Sequence, residues 1–225
     1  MATSGSIDYA LNARQLCTFA CRKINLIGKN QAMSDDVADD AVQELNVMLK
    51  GMQKHDVLWA RTEGSVALVA GTASYALSPV PYRVFECRLS RSGRDIPMFE
   101  MTRQEYYDLP LKTSSGVPTQ WYQDRQRSTV TVYTWPVLAT GDSGTLKYTY
   151  QRMFEDIDSL NNDLDIPQEF TEVIGYLLAA RLADSYGRKG PHIDRVIARS
   201  EQLLMSQLDA NREDFVRFVP SRRHG

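Results

Sequence analysis

Two cysteines one helical turn apart form the first pair in this sequence with a spacing suited to chemistry. Cys17 and Cys21 would share one face of a helix, and such a pair can supply two thiolate ligands to a metal ion. No histidine or acidic pair offers an obvious completion of a tetrahedral site. The spacing therefore favours two small apolar side chains in a buried helical seam, and Cys87 is too isolated to indicate a nucleophile.

The other candidates for chemistry lack a complete motif. His55, His192 and His224 stand in no nucleophile motif such as G-x-S-x-G, and the sequence has no Gly-rich phosphate loop. Residues 156–161 partly resemble a calcium-binding loop, but Leu160 occupies a position that needs an oxygen ligand. A pair of carboxylates for glycoside hydrolysis is a spatial feature that sequence cannot reveal. We expect no catalytic residue, no bound metal and no cofactor.

The overall charge and the apolar runs exclude several classes of partner. The chain has 225 residues and a formal net charge of -2, so bulk electrostatics would not attract nucleic acid or an anionic membrane. No run approaches the roughly 18 consecutive apolar residues that span a bilayer. Residues 1–6 lack a basic region followed by an apolar run, so we expect no secretory signal. Three sparse cysteines suit a reducing cytoplasm.

Helical patterns occupy both ends of the chain. Apolar residues recur at steps of three and four near 7–27, 34–54, 167–187 and 192–211, which predicts four amphipathic helices. Ser34 is a suitable N-cap for the second helix. A pair of helices alone buries little apolar surface, so the two pairs should pack together as one bundle.

The middle of the chain has the composition of strands. Short segments rich in Val, Thr and Tyr alternate with Gly- and Pro-containing turns, which predicts the strands 65–70, 83–89, 119–122, 129–133 and 145–150. The predicted class is α+β. The domains would be a four-helix bundle made by residues 1–60 and 155–211, and an inserted antiparallel β module over 61–154. Residues 155–165 form an acidic, Asn-rich connection, and we interpret its segment 156–161 as a solvated linker.

The last fourteen residues, 212–225, predict an extended C-terminal arm. Their apolar side chains follow the last helix without an evident partner in the same subunit, and a proline prevents that helix from continuing. Arginines add donors suited to carboxylates and carbonyl groups. The arm either folds back on its own subunit or docks on a neighbour. The candidate docking residues are Phe215, Arg217, Phe218, Val219, Pro220, Arg222 and Arg223.

Four segments, taken in order, resemble the head-to-tail adaptors of tailed phages, the group that includes the tail accessory and tail tubular adaptor proteins of short-tailed phages. Each segment alone is weakly specific, and the ordered set spans most of the chain. The segments are 45–49, which reads Leu-Asn-Val-Met-Leu, 103–110 with 116–118 and 121–122, 130–136, which ends in Trp-Pro, and 165–170 with 177–187.

The resemblance implies a non-enzymatic structural protein of a bacteriophage virion. Members of this family form a ring, usually of twelve copies, that binds the portal, extends the DNA channel and receives the next tail component, such as a nozzle or tail tube. The resemblance also implies that the C-terminal arm reaches the portal and that no cofactor is needed. Such a protein is made in the host cytoplasm and resides at the head-tail junction. DNA would pass without specific recognition, which a near-neutral wall suits.

Three other functions fit parts of the same pattern. A head-completion connector of a long-tailed phage shares the helices and the ring, but the size of the β module favours the adaptor. A virion-associated cell-wall hydrolase would need two carboxylates roughly 5 to 9 Å apart in a cleft. A bacterial regulator or scaffold would be supported by an unpaired basic helix, which the sequence does not show.

Overall fold

The structure is a computed structural model, and it describes residue 5 and residues 9–211. These residues form five α-helices: α1 (Ala13–Lys23), α2 (Asp35–Met52), α3 (Arg103–Asp108), α4 (Thr171–Ser185) and α5 (Pro191–Ala210). They also form nine strands: β1 (Arg61–Leu68), β2 (Ser74–Ala76), β3 (Arg83–Arg91), β4 (Arg94–Glu100), β5 (Ser115–Gly116), β6 (Gln120–Arg125), β7 (Val130–Trp135), β8 (Val137–Leu138) and β9 (Gly144–Gln151).

The chain divides into two compact units. One comprises Met1–Trp59 with Phe154–Gly225, and the other comprises Ala60–Met153. We call the first the helical unit, because it contains α1, α2, α4 and α5. We call the second the sheet unit, because it contains all nine strands and the short helix α3.

Helix α4 is the centre of the helical unit. It is the main packing partner of α1, of α2 and of α5. A helix that is apolar on more than one face is driven into the core, and α4 is such a helix. Its buried residues are Val173, Ile174, Gly175, Leu178, Ala179, Leu182 and Ala183.

The predicted four-helix bundle is therefore wrong. In such a bundle four amphipathic helices share one central seam, whereas here three helices pack around a fourth. The prediction treated the apolar residues of α4 as a single stripe, although they cover several faces. The largest element of the chain is moreover a seven-stranded sheet. Helices and strands lie in separate parts of the chain, so the α+β class is compatible with the fold.

Helix α1 is shorter than predicted because a capping box fixes its start. The side chain of Asn12 accepts a hydrogen bond from the Gln15 N–H at 2.9 Å, and the Gln15 side chain accepts one from the Asn12 N–H at 3.1 Å. Reciprocal bonds of this kind satisfy two N–H groups at the helix end. The helix therefore begins at Ala13, well after the predicted start near residue 7.

The seven-stranded sheet has the order β1-β9-β3-β4-β6-β7-β2. Its pairs are antiparallel except for β4 with β6, which are parallel at Phe99 and Glu100, and β5 with β8 form a separate parallel pair. The predicted antiparallel module is thus a mixed sheet. Its core contains residues from all the long strands, including Val84, Cys87, Leu89, Trp121, Val132, Leu146 and Tyr148.

A side-chain amide connects two strands where the ladder is irregular. The register of β3 with β9 shifts between Val84 and Glu86. Gln123 of β6 accepts a hydrogen bond from the Val84 N–H and donates one to the Val84 carbonyl, both at 3.2 Å. This amide replaces a missing strand neighbour, because a buried backbone group without a partner is costly. Gln123 therefore helps to hold β3 beside β6.

Candidate interaction surfaces

The cysteines lie in the core, as the spacing on α1 predicts. Cys17 and Cys21 are fully buried, and the Cys21 sulfur lies 3.9 Å from the Met33 sulfur. Burial raises the pKa of Cys17 to about 12 and that of Cys21 to about 11, and it also raises the pKa of Cys87. These thiols are protonated at neutral pH. Within residues 9–211 no group of three or more His, Cys, Asp or Glu side chains could hold a metal ion.

The described histidines serve structural contacts. The Nε2 atom of His192, at the start of α5, lies 2.6 Å from the carbonyl oxygen of Lys23, the last residue of α1. Carbonyl groups at a helix end need donors from outside the helix, and this ring can supply one. Burial lowers the pKa of His55, and the neighbouring Lys54 lowers it further. His224 lies outside the described residues.

Two carboxylates share a groove between α2 and α4, but both are engaged in helix contacts. Asp40 accepts a hydrogen bond from the Tyr186 hydroxyl at 2.6 Å, which raises the pKa of Tyr186 to about 12. Glu44 accepts a hydrogen bond from Ser185 at 3.2 Å and lies 3.5 Å from Arg181. These contacts join α2 to α4, so this pair does not resemble a free acid and base.

The segment that follows the sheet unit is fastened to α2. We call residues 154–163 the strap. Asn46 donates a hydrogen bond to the Ile157 carbonyl and accepts one from the Ile157 N–H, both at 2.9 Å. Lys50 donates to the Phe154 carbonyl at 2.6 Å and lies 2.6 Å from a carboxylate oxygen of Asp156. The Asn of the Leu-Asn-x-Met-Leu segment therefore has a specific structural role.

The strap also receives the start of α1. The N–H of Ala13 donates to the Asn162 carbonyl at 3.0 Å, and the N–H of Arg14 donates to the Leu160 carbonyl at 2.8 Å. The first N–H groups of a helix have no partner within it, so these bonds anchor α1. The Asn162 side chain in turn accepts from the N–H groups of Asp158 and Ser159. Most strap side chains are exposed, and the backbone of this segment, which includes the predicted solvated linker 156–161, is held by these hydrogen bonds.

An aromatic cluster lies on the sheet unit, where α3 packs on β6 and β7. The Tyr106 ring lies 5.0 Å from that of Tyr122 and 5.1 Å from that of Tyr133. The Lys112 ammonium lies 5.5 Å from the centre of the Tyr106 ring and 5.8 Å from that of Tyr107. Tyr107 is 56% exposed. The tyrosines of the 103–110 and 121–122 segments thus form one packed surface with a cation above it.

Some charged residues on the sheet unit pair with one another across an intervening strand, because β9 lies between β1 and β3 and β3 lies between β9 and β4. Arg88 of β3 forms an ion pair with Glu63 of β1 and lies 3.9 Å from Glu86. Lys147 of β9 lies 2.9 Å from Asp95 of β4. These side chains carry three negative and two positive charges, so the surface they cover has little net charge.

Charged residues on two helices of the helical unit lack such partners. The exposed side of α1 forms a groove that we call the cationic face. Arg14 and Arg22 are exposed, and within residues 9–211 neither of them, nor Lys23, makes an ion pair. Lys23 lies 4.8 Å from the centre of the Phe19 ring. The residues that line this groove are Tyr9, Leu11, Arg14, Gln15, Thr18, Phe19, Arg22 and Lys23.

The start of α2 carries the opposite charge. Four aspartates occupy six consecutive positions, and we call this segment, residues 35–40, the acidic run. Asp40 binds Tyr186, while Asp35, Asp36 and Asp39 are exposed and have no ion pair among the described residues. The sequence showed both sets of charges, but their lack of partners could be read only from the structure.

The predicted arm cannot be placed. Phe215, Arg217, Phe218, Val219, Pro220, Arg222 and Arg223 all lie outside the described residues. Their proposed role in portal binding stays a prediction. A separate finding concerns membranes: among the described helices, none is both long enough and apolar enough to cross a bilayer.

Comparisons with solved structures return chains from virus-like particles. One belongs to the neck of an empty gene transfer agent particle computed with C6 symmetry, with 13% identity, 85% of this chain and 93% of that chain covered, and a TM-score of 0.26. Another belongs to the virion of a native gene transfer agent particle, with 16% identity, coverage of 88% and 91%, and a TM-score of 0.27. Both TM-scores are too low to support an argument. No curated protein matches the sequence.

The assignment of this chain to a family rests on the comparison with family models. The family model described as SU10 adaptor protein matches residues 12–222, which extend from the N-cap of α1 into the C-terminal arm and include all four segments of the sequence resemblance. The recognition of a phage head-to-tail adaptor is confirmed, and with it the predicted class of function, a structural adaptor at the head-tail junction of a phage-like particle. The chain belongs to the SU10 adaptor protein family.

Proposed function

We propose that copies of this chain form a ring, of twelve subunits, that binds the portal, extends the DNA channel and receives the next tail component. The observation that carries this proposal is the family match over residues 12–222. The protein acts by position and shape and has no catalytic role. The helical unit and the sheet unit act as its two domains, with the C-terminal arm as a third element.

The anchored strap supports a role as a rigid building block. A ring of identical subunits transmits force and keeps its bore only if each subunit holds its shape. Here the start of α1 is bound by the strap, and the strap is bound by Asn46 and Lys50 of α2. The end of α1 is in turn near His192 of α5. These hydrogen bonds between segments far apart in sequence stiffen the helical unit.

The paired charges of the sheet unit suit the neighbourhood of moving DNA. A wall with many free cations would bind DNA phosphates through counterion release and slow its exit. On the sheet unit, Arg88 and Lys147 are neutralised by carboxylates two strands away. DNA passes such a surface without specific recognition.

The C-terminal arm is the proposed portal-binding element. Phe215, Phe218 and Val219 would enter crevices between portal subunits, and Arg217, Arg222 and Arg223 would bind carboxylates or carbonyl groups there. The free protein is a monomer, and the portal supplies the template on which the ring closes. A partner that binds only the assembled form shifts the equilibrium towards it.

The test is reconstitution on the portal of the same virion. Purified protein is mixed with portal rings and with DNA-filled heads that lack tails, and the products are imaged by electron microscopy in negative stain. We expect light scattering to show a monomer alone and a stoichiometric ring on the portal. Heads that carry the ring should accept tails, and heads without it should not.

A truncated chain that ends at Asp214 separates the arm from the rest. It should keep its far-ultraviolet circular dichroism and its melting temperature but lose portal binding. The matched control replaces Arg222 and Arg223 with Lys, which keeps the charge and the length. Unchanged affinity of the truncated chain for the portal would show that the arm is not the anchor. Cell-wall hydrolysis that disappears with one Asp or Glu substitution would contradict the structural role.

A further inference from the structure

The position of Arg14 does not serve the stability of its own helix. It lies in the first turn of α1, near the positive end of the helix dipole, and this turn contains no acidic residue. A cation at that end is unfavourable to the helix. Arg22 follows two turns later on the same exposed side, and no carboxylate among the described residues pairs with either. Both guanidinium groups are therefore free to bind a partner.

The acidic run is unfavourable to its own helix in a similar way. Asp35 and Asp36 suit the positive end of the α2 dipole, which explains two of the four carboxylates. Asp39 and Asp40, however, place like charges four residues from Asp35 and Asp36. Like charges at this spacing destabilise a helix. Cations from outside the subunit would remove that repulsion.

The rest of the helical unit makes this contrast clear. Some of its charges on facing elements form ion pairs, as in Lys50 with Asp156, Arg181 with Glu44 and Arg199 with Glu172. The cationic face and the acidic run are complementary, different from each other and present on every copy. A head-to-tail contact that closes into a ring requires two such different surfaces on one subunit.

We infer that the cationic face of one copy binds the acidic run of the next copy, and that this contact joins neighbouring subunits of the ring. The inference rests on the proposed function. Arg14, Arg22 and Lys23 would pair with Asp35, Asp36 and Asp39, while Tyr9 and Phe19 supply apolar area beside them. Nucleic acid is the competing occupant of a groove with cations and aromatic rings. We favour a second copy as the occupant of this groove, because every copy carries the unpaired aspartates of the acidic run.

Charge reversal on each surface tests the contact. Variant one carries Arg14→Glu and Arg22→Glu, and variant two carries Asp36→Lys and Asp39→Lys. All four residues are exposed, so both variants should fold, which circular dichroism checks. We expect each variant alone to need at least a tenfold higher concentration than the unaltered protein to form rings on portal. The matched control carries Arg188→Glu and Lys189→Glu. It changes the net charge of the protein by the same amount as variant one, but at another place on the helical unit, and it should assemble normally.

Mixing the two variants is the sharper test. In an alternating ring the reversed face of variant one meets the reversed run of variant two, and the two unaltered surfaces meet at the next contact. An equimolar mixture should therefore form rings at concentrations where neither variant does. Failure of the mixture to assemble, or normal assembly of either variant alone, would overturn the inference while rings of the unaltered protein uphold the proposed function.

Two further measurements separate the remaining outcomes. Zero-length carbodiimide coupling of mixed ¹⁵N and ¹⁴N copies, at high concentration without portal, should join Lys23 of one copy to Asp35, Asp36 or Asp39 of another. Cross-links that avoid these residues contradict the contact whether or not rings form on portal. Fluorescence anisotropy with a 30-base-pair duplex should show no loss of DNA binding in variant one. A loss there would assign the groove to DNA.

Discussion

The charged residues Arg88 and Lys147 on the sheet differ from the charged residues on α1 and α2 in how they are paired. On the sheet, Arg88 and Lys147 form ion pairs with carboxylates two strands away. On α1 and α2, by contrast, Arg14, Arg22 and Asp39 have no ion pair among the described residues. A surface whose charges are satisfied within the subunit has little to offer a partner. Unpaired charges of opposite sign on one subunit are what an assembling protein can use.

The two units also share a device, an aromatic ring packed directly on a glycine. The Tyr148 ring of β9 covers Gly64 of β1, its cross-strand partner. The Phe19 ring of α1 lies against Gly175 of α4, where it also contacts Tyr176 edge to face at 5.9 Å. Tyr148 is buried, whereas Phe19 is half-buried and adjoins the cationic face. The ring in the sheet is thus enclosed by its neighbours, whereas the ring in the helices is partly open to solvent.

The largest expected effect is loss of a fully buried aromatic side chain in either unit. Trp121→Ala in the sheet and Phe170→Ala in the helical unit each remove a side chain with at most 1% exposure. Substitutions of this kind cost about 3–5 kcal/mol. Urea denaturation followed by circular dichroism measures the free energy of unfolding. Phe99→Ala, at a side chain that is 73% exposed, should change it by less than about 0.5 kcal/mol.

The glycines give a smaller effect that differs between the units. An added Cβ at Gly64 would lie 2.5 Å from the Tyr148 ring, and at Gly175 it would lie 2.7 Å from the Phe19 ring. Overpacking costs about 1–3 kcal/mol. We expect Gly64→Ala to cost about 2 kcal/mol and Gly175→Ala less, because the half-buried Phe19 ring can shift outwards. The measurement is the same urea titration.

Gly51→Ala is the matched control for both glycines. An added Cβ at this exposed position in α2 meets nothing within 4 Å, so the substitution should stabilise the protein by about 0.5–1 kcal/mol. Equal costs for Gly64→Ala and Gly175→Ala would contradict the difference in freedom between the two rings.

Loss of the bond between Asn46 and the strap comes next. Asn46→Asp keeps an acceptor for the Ile157 N–H but replaces the donor to the Ile157 carbonyl with a second oxygen. The Ile157 carbonyl would then be partly buried, unsatisfied and opposite another oxygen. This should lower the free energy of unfolding by about 1–3 kcal/mol. Hydrogen exchange should then show faster exchange at the Ala13 and Arg14 amides, which the strap holds. Val47→Ala, at the exposed neighbour, should leave exchange at those amides unchanged.

The family, the helix positions and most strands were accessible from the sequence because they depend on local patterns. The turn at Ser92-Gly93 joins β3 to β4, and both residues have positive φ, as in a type I′ hairpin turn. Strand β4, which follows that turn, was missed because Pro97 lies within it and its residues do not alternate cleanly. The central position of α4 was missed because a helical pattern shows which residues are apolar but not how many neighbours they meet.

The side-chain hydrogen bonds between distant segments were harder to predict from the sequence. Asn46 and Gln123 each bind both the N–H and the carbonyl group of one distant residue, Ile157 and Val84. No local pattern encodes such a pair. A polar amide within the Leu-Asn-x-Met-Leu segment, where Leu45, Met48 and Leu49 are buried, was the one available signal. The capping box of α1 was readable in principle from Asn12 and Gln15.

The smallest expected effect is a change in the pH dependence of the melting temperature. It compares Asp95, a paired carboxylate of the sheet, with Asp39, an unpaired carboxylate of α2. Hydrogen bonds from Ser90 and then from Lys147 lower the pKa of Asp95 below its ordinary 3.8. The folded protein therefore holds this proton less readily than the unfolded chain. The stabilisation is present above about pH 4 and disappears as the pH falls through the lowered pKa.

Asp95→Asn should accordingly lower the melting temperature at pH 7, and the difference from the unaltered protein should shrink towards pH 3. Asp39→Asn, in the acidic run, removes a carboxylate without an ion pair and should not lower the melting temperature at pH 7. Because exposed pairs are screened by salt, the Asp95 effect should also weaken at high ionic strength. If Asp39→Asn had a lower melting temperature at pH 7 than Asp95→Asn, the comparison would be contradicted. Asp39 would then have a stabilising partner within its own subunit. The acidic run would then have less charge to offer a neighbouring copy.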